Sequence, residues 1–186
     1  SDVYKRQHAD WSIPFNYGEQ GGDEFWIYLI VKNLCATGNW YVNDLVGYPL
    51  RMELYDYPLT EALHVAILWA MAKLTTNWAF VVNAYYIATY VIAGLTACAC
   101  LRAVGVTRTM AVALAVLYAV HPFHFYRGQA HIFVGGYFVV PPICLACWWL
   151  MQGAMPLRSR RFAIALLAMV IASASGSPAS RVSWTV

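Results

Sequence analysis

The chain has 186 residues, of which 61% are hydrophobic and 11% charged, with a net charge of +3 and a mean hydropathy of +0.52. An ordinary soluble domain is roughly 45–50% apolar and about 25% charged, so a water-soluble globule of this size has no room to hide so much apolar surface. The small, scattered positive charge also argues against a nucleic-acid partner, and none is expected.

The charges are unevenly placed. All nine Asp and Glu residues precede position 62, and the 125 residues that follow carry only Lys and Arg as formal charges. The pattern predicts an all-α, polytopic membrane protein: an acid-bearing extracytoplasmic loop over residues 8–61, then hydrocarbon-compatible helices over 78–172. Residues 1–7 (SDVYKRQ) read as the translation of a transposon-end adapter used in sequencing libraries, to be excluded from fold reasoning. Residues 173–186 read as a truncated or aberrant tail, so a fragment of a longer protein is expected. Four of the five cysteines fall inside apolar runs, where Cys behaves as a small hydrophobe. Cys144 and Cys147 form a CxxC with no second pair and no nearby His, so no metal or redox role is assigned to them.

In chain order, residues 22–36 predict an amphipathic interfacial helix, with Phe25, Leu29 and Lys32 on one stripe and Trp26, Ile30 and Leu34 on another. Its acidic first turn suits the positive end of the helix dipole. Gly38 ends it, and residues 39–58, rich in aromatics, Gly and Pro, predict an ordered extramembrane loop without a sustained period. A second helix over 58–74, opened by Pro58 and capped by Thr60, carries Glu61, His64 and Lys73. It is marginal as a span, because about 20 apolar residues are needed, and is read as interfacial. Residues 78–101 predict a transmembrane helix, Met110–Val120 with its flanks the next, residues 134–151 a third kinked by Pro141 and Pro142, and Phe162–Ala172 a fourth. Arg102 and Arg108, and Arg158, Arg160 and Arg161, then mark the cytoplasmic side, which leaves the acidic loop and the turn at 121–133 on the extracytoplasmic face.

Three constellations carry candidate chemistry. Asp23 and Glu24 follow a glycine pair at the start of the first interfacial helix. Held beside a membrane, such carboxylates can act as a general base towards a hydroxyl or coordinate a divalent cation; the competing reading is helix capping by Asp23, with Glu24 solvated. Tyr55, Asp56 and Tyr57 set an acid between two rings, which suits sugar stacking and equally suits a membrane-interface belt. His121, His124, Arg127 and His131 put three imidazoles and a guanidinium into eleven residues. Arg presents a planar fork matched to phosphate, and His adds hydrogen bonds or a proton. With no acid after residue 61, Arg127 calls for a loop carboxylate, an anionic lipid, a residue outside this chain or a substrate phosphate, the last being the economical choice.

The ordered segments GDEFWIYLIVKNL, GNWYVNDLVGYPL, LYDYPLTEALH, LRAVGVTRTMAV and HPFHFYRGQAHIF together resemble the amino-terminal third of large multispanning bacterial membrane glycosyltransferases of the C-type fold. These are relatives of the mannosyl and aminoarabinose transferases. The resemblance covers roughly residues 11–172, and its most specific parts are the YDYP segment and the HFYRGQAH turn. It implies an inverting transfer of a sugar from a polyprenyl-phosphate donor to an acceptor at the outer face of the bacterial cytoplasmic membrane. Asp23 would be the catalytic base with Glu24 as neighbour or substitute. Arg127, with His124 or His131, would hold the donor phosphate; Asp56 would bind the acceptor or support the residues that do, and Tyr55 and Tyr57 beside it are further substrate-binding candidates. No cofactor is implied beyond a compatible divalent cation; the partners implied are the lipid-linked donor and membrane lipids. Two other classes stay open, a secondary transporter or lipid flippase and a non-catalytic membrane assembly protein; both would tolerate loss of the Asp23 carboxylate.

Overall fold

The computed structural model describes residues 11–15, 23–44, 46–47, 49–53, 62–129, 131–133, 136–153 and 159–175. Among these the chain is mainly helical. Helix α1 is Asp23–Thr37, followed by a minimal antiparallel pair, β1 (Val42–Asn43) and β2 (Met52–Glu53). Then come α2 (Ala62–Ala72), α3 (Trp78–Ala103), α4 (Arg108–Ala119), the short α5 (Pro122–Arg127), a 3₁₀ turn (Tyr137–Val139) that runs into α6 (Val140–Met151), and α7 (Arg160–Ser175).

Helix α3 is the axis of the fold and packs against α1, α2, α4, the 3₁₀ turn and α6. Asn77 caps it, its Oδ1 accepting from the Phe80 N–H at 3.2 Å, a bond of the kind that contributes about 1 kcal/mol. At the far end an Arg102 guanidinium N–H bonds the Val106 carbonyl at 2.6 Å, and Gly105, at φ +95°, reverses the chain into α4. With 26 residues α3 is about 39 Å long, more than the roughly 30 Å of a bilayer's hydrocarbon core. By length and composition, Trp78–Ala103 and Arg108–Arg127 are long and apolar enough to cross a membrane. Both leave apolar rows facing outwards, Ile87, Val91 and Leu95 on α3 and Val112, Val116 and Leu117 on α4.

Helix α1 presents two stripes that differ in burial. Ile30 and Leu34 are buried and Trp26 half-buried, while Phe25 and Lys32 face outwards and Leu29 lies between. Ile27, Tyr28 and Val31 are buried with Val81, Val82 and Tyr85 of α3 and with Ile132 and Phe133, each large apolar group contributing about 2 kcal/mol. Helix α1 packs against α2 and α3 on this buried side and shares the core with the turn at 131–133. Cys35 on this helix is partly covered, and burial pushes its thiol up from its ordinary range, away from the reactive thiolate.

Within the ordered loop expected over residues 39–58, Val42 pairs with Glu53 and Asn43 with Met52. Two residues per strand are too few to show a period of two. The pair is fastened by the Asn33 side-chain amide, which donates to the carbonyls of Asn39 and Val42 at 2.8 and 2.7 Å. Pro141 and Pro142 do not kink a long helix. They sit in the first turn of α6, where their missing N–H groups have no intrahelical partner to lose.

Candidate functional site

The His121–His131 stretch folds as one helical turn and a half, held by its own residues. The His121 Nδ1 accepts from the Phe123 N–H at 3.2 Å, Pro122 opens α5, and Gly128, at φ +54°, ends it. This geometry turns His124 inwards, where it is 1% exposed. Its Nε2 is 2.9 Å from Thr89 Oγ1 and its Nδ1 3.1 Å from the Tyr137 hydroxyl. Its ring stacks on Tyr90 at 3.7 Å, with 4° between the planes. The Tyr137 hydroxyl lies 3.0 Å from the Tyr118 carbonyl and 2.9 Å from the Ala119 carbonyl. Both imidazole nitrogens are thus already engaged, and the ring braces α5 against α3 and the 3₁₀ turn.

Arg127 lies one turn further on. Its guanidinium sits 5.3 Å from the centre of the Phe123 ring, and its Nε is buried with no hydrogen-bond partner. A buried N–H left unpaired costs about 1–3 kcal/mol, more for a charged group. His131 is half-buried, and its backbone N–H returns to the Arg127 carbonyl at 3.3 Å. Among the described residues no carboxylate forms an ion pair with Arg127; the ion pair seen is Arg51 with Glu53 at 2.6 Å, exposed and worth little.

The acidic half of the candidate site opens α1. The helix begins at Asp23, and Glu24 is fully buried. The reading of Glu24 as a solvated acid is therefore corrected: it follows the inward face of α1, whose next turn carries Ile27 and Tyr28 into the core beside Ile132 and Phe133. That cluster brings the first turns of α1 and the chain just after His131 into one packing unit. Tyr55, Asp56 and Tyr57 lie outside the described residues. No group of three or more His, Cys, Asp or Glu among the described residues is placed to hold a metal ion.

Residues that the sequence reading passed over make up much of the surroundings. Asn83, fully buried on α3, accepts at Oδ1 from the Phe15 N–H at 3.1 Å and from Gln129 Nε2 at 2.7 Å, and donates from Nδ2 to the Ile13 carbonyl at 2.9 Å. Asn83 and Thr89 interrupt an otherwise apolar run, which is the signal that could have found them: polar groups in a span-length helix need internal partners. An apolar cleft of about 630 Å³ runs between α3, α4 and α6, from Leu101 and Val104 at one end to Tyr118 and Val140 at the other. Tyr118 closes that end, its hydroxyl donating to the Tyr137 carbonyl at 2.9 Å.

No protein-family model, curated protein or solved structure matches the chain.

Proposed function

We propose that the protein is a polytopic membrane glycosyltransferase that moves a sugar from a polyprenyl-phosphate donor to an acceptor hydroxyl at the extracytoplasmic face of the bacterial cytoplasmic membrane. The observation that carries the reading is Arg127: a guanidinium with a buried, unpaired Nε, at the end of a braced helical turn, in a chain with two helices able to cross a membrane. A phosphate oxygen supplies the missing partner through a charge-assisted bond. The outward apolar rows of α3 and α4 suit lipid, and the cleft of about 630 Å³ suits an isoprenoid chain whose phosphate end lies towards Tyr118 and the His124 brace. In the transfer, Asp23 takes the acceptor proton as the acceptor oxygen bonds the sugar's anomeric carbon. The bond from that carbon to the phosphate oxygen breaks, its electron pair leaves with the polyprenyl phosphate, and Arg127, with His131, stabilises the growing charge. One displacement inverts the anomeric centre.

The test is release of polyprenyl phosphate from a panel of polyprenyl-phosphate sugars by the intact protein in nanodiscs. The wild type is expected to consume one of them, and Asp23→Asn to lose roughly a hundredfold or more in kcat, the scale of a general base. Full activity in Asp23→Ala, or no turnover of any lipid-phosphate sugar by the wild type, removes the reading.

A transporter or flippase remains the second reading, and one observation favours it. The buried His124 lies near one end of the span-length segment Arg108–Arg127, and a buried ionisable group in such a segment suits a transport path. That reading expects Asp23→Asn to leave flux intact and His124→Gln to reduce it.

A further inference from the structure

One α3 side chain hydrogen-bonds segments that flank both halves of the candidate site. Phe15 and Ile13 belong to the segment that leads into α1, eight residues ahead of Asp23; Gln129 stands midway between Arg127 and His131. Asn83 bonds all three. Its Oδ1 spends one lone pair on the Phe15 N–H and the other on Gln129 Nε2, while Nδ2 donates to the Ile13 carbonyl. This pattern also fixes the orientation of the amide, since the flipped rotamer would set NH₂ against two donors. Asn83 and Gln129 are both fully buried, so water cannot replace a lost bond. Around the tie, Trp11 packs edge-on to Phe15 at 5.4 Å and against Phe80, one turn before Asn83, at 5.5 Å.

We propose that Asn83 is a positioning residue that couples the segment ahead of α1 to the Arg127–His131 turn, so that the acid-bearing and phosphate-binding elements keep one register against α3. A smaller side chain at 83 cannot reach both. Leu would fill the volume and leave the Phe15 N–H, the Ile13 carbonyl and the Gln129 amide without this partner. The coupling stands on the geometry alone; its consequence for catalysis rests on the glycosyl-transfer reading.

The experiment uses the intact protein in nanodiscs, with Asn83→Ala, Asn83→Asp and Gln129→Ala compared by amide hydrogen exchange and, in parallel, by polyprenyl-phosphate release. Coupling predicts that Asn83→Ala speeds exchange about tenfold or more in both the 11–15 segment and the 128–133 turn, the loss of a tie holding buried groups. Gln129→Ala loosens the turn and leaves 11–15 protected. Asn83→Asp keeps acceptors for Phe15 and Gln129 and so loosens chiefly the Ile13 side; it also serves if Asn83→Ala does not fold. Per folded molecule, Asn83→Ala should lower kcat by at least about tenfold, because misplacement of reacting groups by about an ångström is that costly, with the donor KM changed far less. Unchanged exchange in either segment of Asn83→Ala overturns the coupling, as does equal loosening of 11–15 by Gln129→Ala. An unchanged kcat in folded Asn83→Ala overturns the positioning role. A wild type that transfers no sugar removes the glycosyl-transfer reading, and the exchange pattern then still decides the coupling.

Discussion

The two halves of α3 solve different problems with one helix. From Trp78 to Tyr90 its inward face carries Asn83, Tyr85, Tyr86 and Thr89, all buried and bonded to other parts of the chain or to the helix itself. From Val91 to Ala103 the buried positions are Ala93 and Ala97, and the hydroxyl of Thr96 folds back on the carbonyls of Ile92 and Ala93. The first half organises loops and short helices through directional bonds, each of which fixes a register. The second half meets α4 through Gly94 against Ala115 and Ala119, where close backbone approach replaces specific partners. Hydrogen bonds accumulate where loops and short helices meet α3, and small side chains where two helices only pack. Substitutions in the two halves should therefore differ in size and kind.

The largest effect is expected at Gly136, which packs on His64, a partner of Tyr85 in the polar half. A Cβ there would overlap the ring of His64, which cannot retreat because it is hydrogen-bonded to the Tyr85 hydroxyl and flanked by Phe133 and Phe138 at 5.5 and 5.7 Å. Gly136→Ala should destabilise by about 2–3 kcal/mol, the scale of overpacking in a dense interior, read as a fall in the detergent-solubilised melting temperature. His64→Ala should recover part of that loss when combined with Gly136→Ala, by opening the space the methyl group needs. A double variant no more stable than Gly136→Ala would show that the glycine is required for a reason other than this contact.

Next in size is Arg127, where stability and function should move in opposite directions. Arg127→Met removes a buried N–H that has no partner and sets an apolar side chain in place of the guanidinium over Phe123. A melting temperature equal to the wild type, or raised by the equivalent of up to about 1 kcal/mol, is expected, together with loss of donor binding. A fall of more than about 2 kcal/mol would assign Arg127 to structure and withdraw the phosphate role.

The contrast between the halves also marks how far the sequence could be read. Helices with many residues in one environment were legible: α3 and α7 start and stop within three residues of the expected bounds, because long apolar runs leave the backbone one way to satisfy itself. The stripes of α1 were legible too, since Phe25 with Lys32 and Ile30 with Leu34 separate by helical spacing. What covers a stripe was not, because the packing of α1 against Ile132 and Phe133 depends on contacts about a hundred residues apart. The basic cluster at 121–131 was visible in the sequence, but the burial and bonding of each residue in it depend on which way α5 faces. That direction engages both nitrogens of His124 and leaves the buried Arg127 Nε without a hydrogen-bond partner. The prolines at 141 and 142 misled because a helix start and a helix kink share the same residue type, and only the preceding 3₁₀ turn decides between them.

The smallest effect is expected at Gly94, in the packing half, and its sign is informative. A Cβ there would rest 3.5 Å from the Ala119 Cβ and 3.8 Å from the Ala115 carbonyl, ordinary contact distances that need no movement. Replacing a mid-helix glycine by alanine restricts the unfolded chain and favours the helix by about 0.5–1 kcal/mol. Gly94→Ala should therefore raise the melting temperature slightly and leave hydrogen exchange in the 128–133 turn unchanged, since no bond of the polar half passes through this position. A larger residue such as Leu would have to push α4 away and forfeit the Ala115 and Ala119 contacts. Faster exchange in the turn after Gly94→Ala would mean that strain at the α3–α4 seam reaches His124 through Tyr118 and Tyr137, and the two halves of α3 would then have to be treated as one cooperative unit.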